Sequence, residues 1–157
     1  MLTVENPHNP FHADIKYGVP DGGEIDLHGH ATYGEDRGIW FELKTSDGTA
    51  LHINIRMGQN MQNIIVVNSY HHGKWGHEDK HFSHVNPDGP LRIHLEAHHK
   101  HFLVDINGGQ FEFHHRLKKA DVNRIEIRGD VRVDKLQFTN MDNHVELPHG
   151  HHHHHHH

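Results

Sequence analysis

Ile39-Trp40-Phe41-Glu42-Leu43, then Ser46-Asp47-Gly48-Thr49, then Leu51-His52-Ile53-Asn54-Ile55-Arg56-Met57: these three pieces read as strand, turn and strand. In the second strand Leu51, Ile53, Ile55 and Met57 fall on one face, and His52, Asn54 and Arg56 on the other. In the first, Ile39, Phe41 and Leu43 alternate with Trp40 and Glu42. Asp-Gly between two such runs is a short-range hairpin signal. Working outward, the same period continues through Ile64 to Asn68, a turn at His72-Gly73, and a short polar strand from Trp75 to Phe82. It resumes in Leu91 to Ala97, in Phe102 to Ile106 before Asn107-Gly108, in the returning Phe111 and Phe113, and in Ile125 to Ile127 and Val131 to Phe138. Helical character is confined to one turn within Leu117 to Asn123. Strands spaced roughly every 8–12 residues with hairpin turns predict an all-β antiparallel sandwich or barrel.

Residues 11–140 are expected to form one domain, with a flexible segment over 1–10 and a loose tail over 141–150. His151 to His157 reads as an expression tag and stands outside the fold argument. No apolar run approaches the ~18 residues that span a bilayer, so membrane insertion is not expected. The start, Met1 to Asn6, carries neither a basic nor an apolar signal region, which leads to an expectation of cytoplasmic residence. Cysteine is absent, which removes disulfides, thiolate zinc sites and a cysteine nucleophile. A formal charge of -6, from 15 basic and 21 acidic side chains, speaks against a sequence-independent nucleic-acid binder. The 25 histidines make that charge strongly pH-dependent below about pH 6.5.

The outward face of Leu51 to Met57 is unusual. His52, Asn54 and Arg56 supply a switchable donor or acceptor, an amide with both, and a rigid fork of donors. Together they can satisfy several hydroxyls of one ligand. Asn68 ends the next strand on this reading, and Trp75 follows in Gly73-Lys74-Trp75-Gly76. Glycines beside an indole leave its ring face open, and an exposed aromatic face suits the C–H face of a pyranose. Glu78 and Lys80 are expected two apart on one face of the next short strand.

This pattern resembles the galectin family, whose motif runs His-x-Asn-Pro-Arg, then Val-x-Asn, then Trp-Gly-x-Glu-x-Arg. The chain carries His52-Ile53-Asn54-Ile55-Arg56, Val66-Val67-Asn68 and Trp75-Gly76-His77-Glu78-Asp79-Lys80. The likeness continues through Phe102 to Gly108, His114-His115-Arg116 and Ile127 to Val131, covering roughly residues 11–140. It implies a two-sheet jelly-roll sandwich and a lectin, not an enzyme, that binds β-galactosides such as lactose or N-acetyllactosamine without metal or cofactor. Its partners would be glycans on glycoproteins or glycolipids. A homodimer or a tandem partner domain, and export without a signal peptide, are further expectations of the resemblance. By position, His52, Asn54 and Arg56 would hold the axial 4-hydroxyl of galactose. Asn68 and Glu78 would hold the 6-hydroxyl, Trp75 would stack beneath the ring, and Glu78 with Lys80 would reach a second sugar. Two departures stand out: Ile55 replaces the motif's proline, and Lys80 replaces its second arginine.

Two other readings are weaker. Gly22, His28, His30 and Glu35 fit the opening of the cupin metal motif, but Glu42 occupies the place of its closing glycine and the second motif fails. The pairs His71-His72, His98-His99 and His114-His115 are expected to be solvated surface. A protein-binding sandwich with a vestigial sugar site is favoured only by Lys80.

Overall fold

The computed structural model describes residues 1–59, 62–148 and 153–155. Its strands are β1 (Leu2–Glu5), β2 (Phe11–Ile15), β3 (Glu24–Ala31), β4 (Gly38–Lys44) and β5 (Thr49–Gln59). They continue as β6 (Gln62–His71), β7 (Lys74–Trp75), β8 (Asp79–Phe82), β9 (Pro90–Ala97) and β10 (His101–Ile106). The last are β11 (Gly109–His114), β12 (Arg124–Gly129), β13 (Val131–Thr139), β14 (Val145–Glu146) and β15 (His153–His155). Short 3-10 turns occupy Lys119–Asp121, inside the one helical turn expected, and Asp142–His144.

Two antiparallel sheets form. One has the order β11-β10-β9-β3-β13-β1-β15; the other is β14-β2-β12-β4-β5-β6-β7, with β8 also on β6. The inward sides of the alternating strands meet in one core that buries Phe11, Phe41, Phe102, Phe113 and Phe138 completely. Leu51, Ile53, Ile55 and Met57 join it, as the alternation requires. The two-sheet antiparallel sandwich expected from the sequence is the observed architecture.

Turn chemistry sets the hairpins. His72 and Gly73 carry φ of 54° and 76°, and Asn107 and Gly108 carry 50° and 90°. Two consecutive left-handed residues match the twist of the flanking strands, a conformation that Asn and Gly enter at least cost.

The segment expected to be flexible over 1–10 is not loose at its start. Leu2 to Glu5 pair with Phe138 to Lys135, and Leu2 and Val4 are core residues. The four residues are too few to show a period, but their apolar side chains anchor an added strand. Within the expected tail, Val145–Glu146 pair with Ile15 and Asp14. The parts of the tail and tag at 149–152 and 156–157 lie outside the described residues.

Candidate carbohydrate-binding groove

The site lies on the outer face of the second sheet, where β5 runs between β4 and β6. Register places His52 between Glu42 and Asn68, and Asn54 between Trp40 and Val66. The hairpin through Ser46 to Gly48 brings Glu42 opposite His52, across a bulge between Leu43 and Lys44.

His52, Asn54 and Arg56 are each held by neighbouring groups of the protein. His52 Nδ1 lies 2.9 Å from Glu42 Oε2, and Glu42 is nearly inaccessible to solvent. A carboxylate only accepts, so Nδ1 carries the hydrogen, and in the uncharged ring the lone pair is then on Nε2. Burial acts to raise the Glu42 pKa, but the hydrogen bond and charge of His52, with Lys44 and Arg128, bring it below the ordinary carboxylate value. Arg128 also spans Glu42 at 3.6 Å and lies 4.6 Å over the Trp40 ring. Along β5, Arg56 Nε donates to Asn54 Oδ1 at 3.0 Å, and Asn54 Nδ2 donates to the Ile39 carbonyl. Arg56 therefore stands with a fixed stem and its terminal amino groups free to donate.

Trp75 follows the two-residue turn and pairs with Tyr70 across β6–β7. Its indole meets the His52 ring edge-on at 4.8 Å and the Tyr70 ring at 5.1 Å, yet 53% of the residue remains exposed. The residue is thus exposed, in keeping with the glycines that flank it. Gly76 has a separate reason: a Cβ there would lie 2.9–3.1 Å from Arg116 Nη1, Ser69 Oγ and Asn68 Oδ1. Only glycine lets this segment sit against the sheet.

Asn68 and the 78–80 segment differ from the sequence reading. Asn68 does not end its strand; β6 runs on to His71, and Asn68 is only 4% exposed. Its Oδ1 accepts from Ser69 N–H at 2.7 Å and Arg116 Nη1 at 3.0 Å, while Nδ2 donates to the Gly76 carbonyl at 3.0 Å. One amide hydrogen is left to donate outward. Glu78 lies in the connection between β7 and β8, not on the strand, while Lys80 sits on β8 opposite Val66; both are exposed. The strand expected from Trp75 to Phe82 is broken at 76–78, where Arg116 donates to the His77 carbonyl.

Sequence reasoning missed two residues that position the others, Glu42 and Arg116. Arg116 donates to Asn68, to Ser69 Oγ at 3.3 Å and to the His77 carbonyl at 2.8 Å, and its guanidinium lies 4.6 Å over Phe113. It comes from a loop 48 positions from Asn68, a separation that no local period reports. Glu42 was visible as an outward residue of its strand, but the bulge hid its register with His52. His28 and His30 lie on the other sheet, where His28 contacts Asp26 at 3.2 Å and His30 the Asp88 carbonyl at 2.9 Å.

A two-sheet sandwich with pre-positioned donors and an open indole on one outer face has the build of a carbohydrate-binding domain. The family description "Galactoside-binding lectin" matches residues 10–138. Among relatives, the probable galaptin lec-7 of Caenorhabditis elegans is 27% identical over 152 residues, covering 96% of this chain and 84% of that protein. Human galectin-4 is 34% identical over 139 residues, covering 85% of this chain and 42% of that protein. Among solved structures, Caenorhabditis elegans galectin LEC-6 superposes with a TM-score of 0.78 at 24% identity, covering 88% of this chain and 96% of that one. The chain belongs to the galactoside-binding lectin family, the galectins. It is a lectin domain and not an enzyme.

Proposed function

We propose that this groove binds β-galactosides, of the lactose or N-acetyllactosamine kind, with Trp75 stacked on galactose and no metal in the contact. The observation that supports this most is the row of His52, Asn54 and Arg56 held beside the half-exposed Trp75 ring. An axial 4-hydroxyl can donate to His52 Nε2 and accept from Arg56, while Trp75 covers the apolar face of the same ring. Asn68, through its one remaining amide hydrogen, and Glu78 hold the 6-hydroxyl. An equatorial 4-hydroxyl leaves His52 and Arg56 without partners in a partly dried groove, a loss of about 1–3 kcal/mol. Glu78 and Lys80 reach the second sugar. The natural ligands are then glycans of glycoproteins and glycolipids. Cross-linking them requires a second site, from a second copy or a tandem domain. Calorimetric titration of lactose into the chain and into Trp75→Ala tests the reading. Heat from the first and none from the second is expected; equal affinities would remove Trp75 from the site.

A further inference from the structure

The opposite outer face, on the first sheet, carries a second constellation. Glu24 on β3 and Glu96 on β9 are direct cross-strand partners, and His94 stands one pair along on the same face, opposite Asp26. Like charges placed directly opposite are destabilising. Yet among the described residues neither Glu24 nor Glu96 pairs with a lysine or arginine; their charged neighbours are histidines. Arg92, the nearby cation, is engaged by Asp26 through two contacts of 3.2 Å. Two carboxylates thus converge on one imidazole, with no lysine or arginine among the described residues paired to either of them.

Their spacing has a chemical meaning. His94 Nε2 lies 3.2 Å from Glu24 Oε1 and 3.5 Å from Glu96 Oε1, and the three ligand atoms all fall within 4.8 Å of one another. Tetrahedral zinc takes nitrogen at about 2.0–2.1 Å and carboxylate oxygen at about 2.0–2.2 Å, which sets neighbouring ligand atoms roughly 3.3–3.5 Å apart. The other oxygen of Glu96 is taken by His98 Nε2 at 3.1 Å, leaving Oε1 for the ion. Behind the imidazole, His94 Nδ1 is buried and has no hydrogen-bond partner among the described residues, 3.5 Å from Asp26 Oδ1. A small rotation of the ring closes that gap and gives the carboxylate–histidine–metal relay that orients metal-binding imidazoles. Half-buried side chains on three adjacent positions of two paired strands make a rigid platform, with the fourth coordination place open to water.

We propose that Glu24, His94 and Glu96 form a binding site for a divalent transition-metal ion of the zinc class, on the face opposite the sugar groove. The ion supplies the positive charge that the Glu24–Glu96 pair lacks, and Asp26 fixes the His94 ring through Nδ1. This site is separate from the galactoside groove and stands whether or not that groove binds lactose.

The terminal histidines also take zinc, so the test counts sites by difference. Zinc chloride is titrated calorimetrically into the full chain and into its Glu24→Gln/Glu96→Gln variant at pH 7.5, each shown by circular dichroism to be folded. The variant should bind one fewer zinc ion per chain; equal numbers at equal affinity would overturn the site. If the double variant does not fold, Asp26→Asn serves instead, and should weaken one zinc site by roughly 10–100-fold. Diffraction from zinc-grown crystals on either side of the zinc absorption edge then locates the ions. An anomalous peak among Glu24, His94 and Glu96 is expected, and peaks confined to the terminal histidines or the surface pairs would refute the assignment.

Discussion

Trp75 is half exposed although its ring touches His52 and Tyr70, so truncating it removes little surface that folding had buried. Trp75→Ala should therefore leave the melting temperature within a few degrees of the parent while lactose binding falls below calorimetric detection. A large drop in melting temperature would make the indole a structural residue. Glu42 acts one step back. Replacing it with glutamine keeps an acceptor for His52 Nδ1–H but removes the charge, and a charge-assisted bond is worth roughly twice a neutral one. Glu42→Gln should weaken lactose binding by ~1 kcal/mol, read as an approximately fivefold rise in Kd. No change would show that His52 is oriented by its rings alone. His52, Asn54 and Arg56 were legible because strict alternation on β5 left them no other face. The burial of Asn54 and Asn68 was not, because it arises from neighbouring strands and from Arg116.

β8 is the short strand that closes the groove edge, and its inward residue is His81. The His81 ring stacks on Phe111 of the other sheet at 4.1 Å and 9°, with Nε2 buried and without a hydrogen-bond partner among the described residues. Burial pushes the His81 pKa down, opposed by the nearby Asp79 charge, and burial likewise lowers His115, opposed by its hydrogen bond to the His98 carbonyl. Both histidines are therefore held neutral in the folded state, while the unfolded chain protonates near the ordinary value of about 6.5. Their contribution to stability is complete above that value and is lost as pH falls through it toward the depressed folded values. Thermal unfolding should move to lower temperature between about pH 7.5 and pH 5, and His81→Phe, which keeps the stacked ring, should flatten the slope. An unchanged slope would place the effect elsewhere among the histidines. On the outward side of β8, Lys80 is a hydrated point charge where the family motif has an arginine fork. Lys80→Arg should strengthen lactose binding by ~0.5–1.5 kcal/mol and leave methyl β-galactoside nearly unchanged. Equal gains on both ligands would mean that position 80 acts through its general field. β3 was not among the strands read from the alternation. Ile25 and Leu27 alternate with Asp26 and His28 as in any half-buried strand, but the His-x-His spacing drew attention to a cupin motif instead.

Across the whole molecule, the sandwich was legible because apolar residues alternate over most of its strands, Leu51 to Met57 above all, and its turns carry Asp-Gly, Asn-Gly and His-Gly pairs. Which strands neighbour one another was not. β3 pairs with β9 and β13, and β12 with β2 and β4, contacts whose sequence separations no local pattern encodes. Those pairings place the outward residues of one sheet together as the candidate sugar-binding face and those of the other as the histidine–carboxylate face. The galactoside reading of the groove rests on recognition of a single axial hydroxyl, and one pair of ligands isolates it. Lactose and cellobiose differ only in the configuration at C4 of the non-reducing sugar, so calorimetric titration of both into the full chain, with a chelator present, reads that contact alone. Lactose should bind with a Kd between roughly ten micromolar and millimolar, as its two dozen or so heavy atoms allow, and cellobiose at least about tenfold more weakly. Equal affinity for the two, or lactose binding that vanishes with the chelator, would contradict the account.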